Sequence, residues 1–284
     1  MRHLLNGAAI CIGAFALLQL AGCAEILEAE GAQADASVTA AKEQAAKPAN
    51  NVLRLAADVE ARGSLATALP LYENAAAMPN ADPSVHTRLA DAYVKLGRLE
   101  EGAAAYRAAL AKQADNGPAL LGLGGLLLRT GKAEEGVIML SKAAPLVNSA
   151  RAYDRLGVAH IAVGQPREAL ASFTQARSLD QQDLDIASNL ALATALVGQK
   201  DQAVTLAKAT LAREGVQDYQ RRNLMLAMCI AGHEDDAKRA ASSRLGESDV
   251  DALIKHAREI RQMPSPKARA LALATSRPAS AATN

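Results

Sequence analysis

The stretch Leu89-Ala-Asp-Ala-Tyr93-Val-Lys-Leu-Gly97-Arg-Leu-Glu-Glu-Gly102-Ala-Ala-Ala-Tyr106-Arg-Ala-Ala109 decides the fold. Its glycine recurs along the chain as Gly63, Gly97, Gly131, Gly164, Gly198 and Gly232, at intervals of 34, 34, 33, 34 and 34 residues. A period that constant marks an array of copies of one supersecondary unit. Eight residues before each glycine stands a leucine: Leu55, Leu89, Leu123, Leu156, Leu190 and Leu224. Five residues after it stands a small residue: Ala68, Gly102, Gly136, Ala169, Ala203 or Ala237. The unit is two helices with the glycine in the turn between them.

Composition narrows the classes. Hydrophobic residues make up 50% of the 284, yet aromatics are only 2% and tryptophan is absent, so the core is built of Ala and Leu, good helix formers with little side-chain entropy to lose. The net charge is +1, and without Arg2 there are 30 basic against 30 acidic residues. Nucleic acid is not an expected partner, because a phosphate-binding surface needs a basic excess or patch. Of the three cysteines, Cys11 and Cys23 lie in or at the end of the N-terminal leader, which leaves Cys229 and no disulfide framework.

The repeat resembles the tetratricopeptide repeat, in which Leu-Gly-x-x-Tyr on the first helix faces Ala-x-x-x-Phe-x-x-Ala on the second. The second copy follows it best, with Leu89, Ala90, Tyr93, Gly102, Tyr106 and Ala109; the fourth runs Leu156, Gly157, His160, Ala169, Phe173, Ala176. Helices about 9 Å apart need small residues where their axes approach and larger ones where they splay. The one-residue deletion between the third and fourth copies falls in the turn around Pro145 to Ser149. The last two copies put Ala207 and Ala241 in the aromatic slot, so they are expected to pack thinner and fray. The resemblance implies an all-α fold: a right-handed superhelical tetratricopeptide-repeat solenoid of about six helix pairs over residues 52–248. A terminal helix over 249–263, with Val250, Leu253, Ile254, Ala257 and Ile260 on one face, is expected to cap it. Residues 264–284, rich in Ala, Ser, Pro and Arg without apolar periodicity, are expected to be disordered.

Residues 1–22 read as a secretion signal, with Arg2 and His3 ahead of an apolar run that is short for a transmembrane helix. The run closes on Leu20-Ala21-Gly22-Cys23, which resembles the bacterial lipobox, with Cys23 the acylated residue. A plain signal peptide, or an uncleaved anchor with an incidental cysteine, is the alternative. Several acyl chains hold a protein stably on a bilayer where one does not. Ala24 after the cysteine implies the outer membrane by the usual sorting rule of such lipoproteins. Residues 23–51, rich in Ala, Glu, Gln and Lys, read as a tether, helical in part, with a docking helix as the alternative.

No convergent catalytic site emerges. Gly125 to Lys132 imitates a phosphate loop, but the first glycine is displaced and Ala133 replaces the required Ser or Thr. His86, His160, His233 and His256 lack metal spacing. His160 occupies the slot of Tyr93 and reads as a packing residue, and Cys229 as a small buried hydrophobe. The expectation is a chain without enzymatic activity, metal, small-molecule substrate or cofactor apart from covalent lipid on Cys23.

Three further motifs carry a finer resemblance: Arg151-Ala-Tyr-Asp-Arg-Leu-Gly-Val158, Ser188-Asn-Leu-Ala-Leu192, and Arg222-Asn-Leu-Met-Leu226 followed by Ala231-Gly232. In that order, behind the lipobox, they look like the TadD family of tight-adherence (Flp/Tad) pilus assembly lipoproteins, over residues 1 to about 262. The resemblance implies a non-catalytic, periplasm-facing outer-membrane scaffold or pilotin. Its protein partners would be the secretin or other pilus components, and it would meet the membrane through its lipid. An adaptor for another envelope system is the alternative. Partners of such folds usually lie along the first helices, whose polar residues here are Arg88, Asp91, Arg151, Arg155, Asn189, Arg222 and Asn223. Those seven are the expected contact residues, against a bland reading in which the asparagines bond neighbouring backbones and the arginines are solvated.

Overall fold

A computed structural model describes residues 48–241 and 245–276. The leader, Cys23, most of the expected tether and residues 277–284 lie outside the described residues. Among the described residues every regular element is a helix. They are α1 (48–61), α2 (Leu65–Ala77), α3 (Pro83–Lys95), α4 (Leu99–Lys112), α5 (Gly117–Arg129), α6 (Ala133–Val147) and α7 (Ala150–Ala162). There follow α8 (Pro166–Leu179), α9 (Leu184–Leu196), α10 (Lys200–Leu211), α11 (Asp218–Ala231), α12 (Glu234–Ala240), α13 (Glu247–Gln262) and α14 (Pro266–Ser276).

Each ladder glycine does the same local job. Gly131 has φ +77°, a conformation that costs a residue with a Cβ and costs glycine little. Its N–H bonds to Leu128 O at 3.2 Å, and the next N–H, of Lys132, reaches back to Leu127 O at 2.8 Å. That pair of bonds satisfies the last carbonyls of α5 and turns the chain into α6. The same two bonds recur at Gly97, Gly164, Gly198 and Gly232. Starts are capped too: Asn116 Oδ1 accepts from Ala119 N at 2.9 Å, and Asp183 Oδ1 from Asp185 N at 2.7 Å and Ile186 N at 3.1 Å.

The chain divides into two compact units, Met1–Val85 and His86–Asn284. In the first, α1 and α2 enclose a small core of Ala49, Ala75, Ala81 and Val85. Tyr72 donates its hydroxyl to Glu60 at 2.5 Å. Residues 48–51, assigned above to the tether, are helical, because Ala49 is fully buried in that core.

In the second unit, successive helices pack in sequence from α4 to α12, and first helices also meet across repeats: α5 with α7, α7 with α9, α9 with α11. Small slots on the first helices receive large side chains from the second. A Cβ on Gly124 would fall 2.6 Å from Leu140, and one on Gly157 would fall 2.5 Å from the Phe173 ring. The short connection between the third and fourth repeats arises because α6 runs through Pro145 to Val147 and leaves only Asn148 and Ser149. Asn148 takes the left-handed conformation and Ser149 accepts from Ala152 N at 3.3 Å. The sixth repeat is asymmetric: α11 is buried from Leu224 to Ala231, whereas α12 has seven residues. α13 packs on α11 with Val250, Ile254, Ala257 and Ile260 buried.

The tail differs from expectation. Beyond Pro264 the chain forms α14, which turns back onto α7, α8 and α9. Ser265 Oγ accepts from Ala268 N at 3.1 Å and Pro266 opens the helix, an N-terminal arrangement that needs no further partner. The repeats themselves supply the apolar surface that the tail lacks, since Ala270 and Leu273 are buried against them.

Candidate functional site

The first helices α3, α5, α7, α9 and α11 share polar side chains linked across repeats. On α3, Asp91 accepts the Tyr106 hydroxyl from α4. The Tyr106 ring fits because Gly122 on α5 has no side chain: a Cβ there would stand 2.2 Å from Tyr106 Cζ. One turn along α5, a Cβ on Gly125 would lie 3.5 Å from the guanidinium of Arg155. Burial lowers the Arg155 pKa and Arg151 adds to that, while Tyr106, Asp91 and Asp154 act in the opposite sense. Burial, and then Asp91, push the Tyr106 phenol upward.

The next link joins α7 to α9. Asn189 Nδ2 donates to Asp154 Oδ1 at 3.0 Å. Burial raises the Asp154 pKa to about 6; the Asn189 bond opposes this, Asp183 and Asp185 reinforce it, and Arg155 opposes it. A third link joins α9 to α11: Asp185 accepts from the Tyr219 hydroxyl and from Gln220 Nε2, each at 2.6 Å. Beside these links lies a cleft lined by Val158, Ile161, Phe173, Asn189, Leu192 and Ala193 and, from α14, Leu273.

The sequence-based set is thus divided. Asp91, Arg155 and Asn189 stand in the linked chain of side chains. Arg88 and Arg151 are exposed on α3 and α7. Arg222 is exposed and faces Asp249 of α13 at 3.7 Å, and Asn223 is half-buried on α11. Asn189 bonds to a side chain, where the bland reading had it bond to backbone. Tyr106, Asp154, Asp185, Tyr219 and Gln220 were missed, although the period offered a signal: Asp154 and Asn189 are 35 residues apart, and Asp185 and Tyr219 are 34. Residues one repeat apart stack.

Cys229 is fully buried, and burial first, then Glu234, push its thiol up to about 12. Arg261 of α13 donates to Cys229 O at 3.2 Å and to Glu234 at 3.1 Å, which ties the cap to the end of α11. Among the described residues no group of three or more His, Cys, Asp or Glu side chains is placed to hold a metal. Among the same residues no helix is long and apolar enough to cross a membrane.

A repeated helix pair with a linked polar face along its first helices defines the class of protein-interaction scaffolds, a fold that generally carries no catalysis. The family model of the tetratricopeptide repeat matches residues 83–115 and 150–183, the second and fourth copies. Cellulose synthase operon protein C of Xanthomonas axonopodis pv. citri (strain 306) is 31% identical over 188 residues, which are 64% of this chain and 11% of that protein. The chain therefore spans about a ninth of the curated relative it matches. PilF of Pseudomonas aeruginosa shares the fold at 18% identity and TM-score 0.58, over 70% of this chain and 90% of that one. YrrB, a tetratricopeptide-repeat protein with an unusual peptide-binding site, shares it at 20% identity and TM-score 0.51, over 63% and 92%.

Proposed function

We propose that this chain is a lipid-anchored, periplasm-facing outer-membrane scaffold or pilotin for assembly of the tight-adherence pilus and its secretin, and that it takes its protein partner along the first helices. The observation that supports this most is the pairing of two features. One is the linked face of Asp91, Tyr106, Arg155, Asp154 and Asn189. The other is a leader ending in Leu20-Ala21-Gly22-Cys23. The face offers donors and acceptors that are already oriented, so little ordering cost falls on binding. The lipid on Cys23 would confine the scaffold to the surface where a secretin ring inserts.

Two measurements test this reading. Labelling with a fatty-acid analogue should mark the wild-type chain and leave Cys23→Ser unmarked and soluble; equal membrane partition of the two would overturn the anchor. Deleting the gene should remove heat-resistant secretin multimers from outer-membrane fractions, and re-expression should restore them. The likeness to cellulose synthase operon protein C favours a second reading, an adaptor for another envelope system. Undiminished secretin multimers in the deletion strain would decide for it.

A further inference from the structure

α14 is not needed to close the end of the array, because α13 already covers α11. It instead reaches back to the fourth and fifth repeats and lies on α7, α8 and α9. Three side chains do most to seat it. Arg269 Nε donates to Leu196 O at 2.9 Å, one of the carbonyls that the end of α9 leaves without a helical partner. Ala270, fully buried, marks the close approach, and Leu273, 3% exposed, closes one side of the cleft whose other walls are Val158 and Ile161 of α7 and Leu192 and Ala193 of α9. Because Arg269 meets Leu196 and Leu273 meets residues 189–193, α14 runs back along α9 towards its N-terminus.

The neighbouring turn is shaped to the same helix. A Cβ on Gly164 would stand 2.8 Å from Leu271 Cγ, whereas at Gly97 and Gly131 it would meet nothing within 4 Å. Even so, Leu271 stays 37% exposed, and α14 buries few large side chains. A helix that offers the repeats one capping arginine, one buried leucine and otherwise small or part-exposed side chains makes a ligand-like contact. Its occupancy is sustained by the three-residue connection Met263–Ser265 to α13, which gives it a high effective concentration.

We propose that the cleft between α7 and α9 is a receptor for a short amphipathic helix, that α14 is its resident occupant, and that a partner helix of the same chemistry displaces it. That chemistry is a cation at one position, a small residue next to it and a leucine three residues later, as in Arg269, Ala270 and Leu273. Asn189 belongs both to this cleft and to the linked polar face, so a partner extending along that face meets α14 and competes with it. The proposal rests on the reading of the first-helix face as the protein-binding surface.

The test uses a fluorescein-labelled peptide of residues 264–276, titrated by fluorescence anisotropy into the full chain in three forms. These are wild type, a release variant (Ala270→Glu with Leu273→Glu), and the release variant carrying Val158→Glu as well. Hydrogen exchange is followed in each. The release variant should bind the peptide with a Kd at least about tenfold below that of wild type, since the tethered competitor is gone. Val158→Glu should abolish that gain. Exchange should become fast in 266–276 while α7, α8 and α9 stay protected. Equal affinity in wild type and release variant, no binding to the release variant, or loss of protection spreading through α7 to α9 would each overturn the proposal. No envelope partner enters this assay, so its failure leaves the secretin experiment unaffected, and undiminished secretin multimers leave the cleft intact.

Discussion

Gly157 shows how one residue carries both fold and face. In an exposed helix interior, Gly→Ala stabilises by about 1 kcal/mol. Here the new methyl would meet Phe173, itself 2% exposed, at 2.5 Å. Gly157→Ala should therefore destabilise by about 1–3 kcal/mol, the range for overpacking a filled core. Urea unfolding checks the sign, and a gain in stability would contradict the packing. Asp154 sits two helical turns from the cleft end of the same element and is held by Asn189. Its folded pKa of about 6 exceeds the ordinary carboxylate value, so the folded chain holds the proton longer than the unfolded chain does. The corresponding stability is complete below about pH 4 and is lost as pH rises through about 6. Asp154→Asn should raise the melting temperature at pH 7.5, by the equivalent of about 3 kcal/mol, and should change it little at pH 4. A pH-independent difference would exclude the carboxyl as the cause. The small slots were legible in the sequence because spacing alone defines them. For Asp154 and Asn189 the period gave only their stacking, one repeat apart; that the carboxylate is half-buried and held by the amide shows only in the structure.

At the scale of the element, α14 teaches the most. Its sequence has two buried apolar side chains, Ala270 and Leu273, one half-exposed leucine, Leu271, and otherwise Pro, Ala, Lys, Arg, Thr and Ser, so a search for amphipathic periodicity passes over it. Ser265-Pro266 is a helix start that could have been read, but a start without a partner surface predicts little. The surface comes from α7 and α9, more than 70 residues away, as the Arg269 to Leu196 bond shows. Arg269→Gln should lower the protection of amides in 266–276 by roughly tenfold, the worth of about one charge-assisted hydrogen bond, and leave α13 unchanged. Unaltered protection would mean that Leu273 alone seats the helix. Of the last two repeats, which carry Ala207 and Ala241 in the aromatic slot, the fifth has a second helix of 12 residues and the sixth one of seven. Yet α11 and α9 are among the most buried helices of the second unit, because α10, α13 and α14 pack around them.

For the molecule as a whole, the period made most of the fold legible: among the described residues six turns, twelve repeat helices and a cap are where the glycines and leucines place them, and α14 is the exception. The function is less legible, because the same array serves any partner that its exposed face fits. The balanced composition, 30 acidic residues against 31 basic, also gives no long-range field to name one. The account's central claim is that this partner lies along the first helices, and site-specific photocrosslinking in living cells tests it most directly. A photoreactive residue is placed at Arg88, Arg151 or Arg222 on first helices, and at Arg107 or Thr174, which are exposed on the second helices α4 and α8. The account predicts one shared crosslinked partner from the three first-helix positions and none from Arg107 or Thr174. Adducts to that partner from the second-helix positions alone would contradict it.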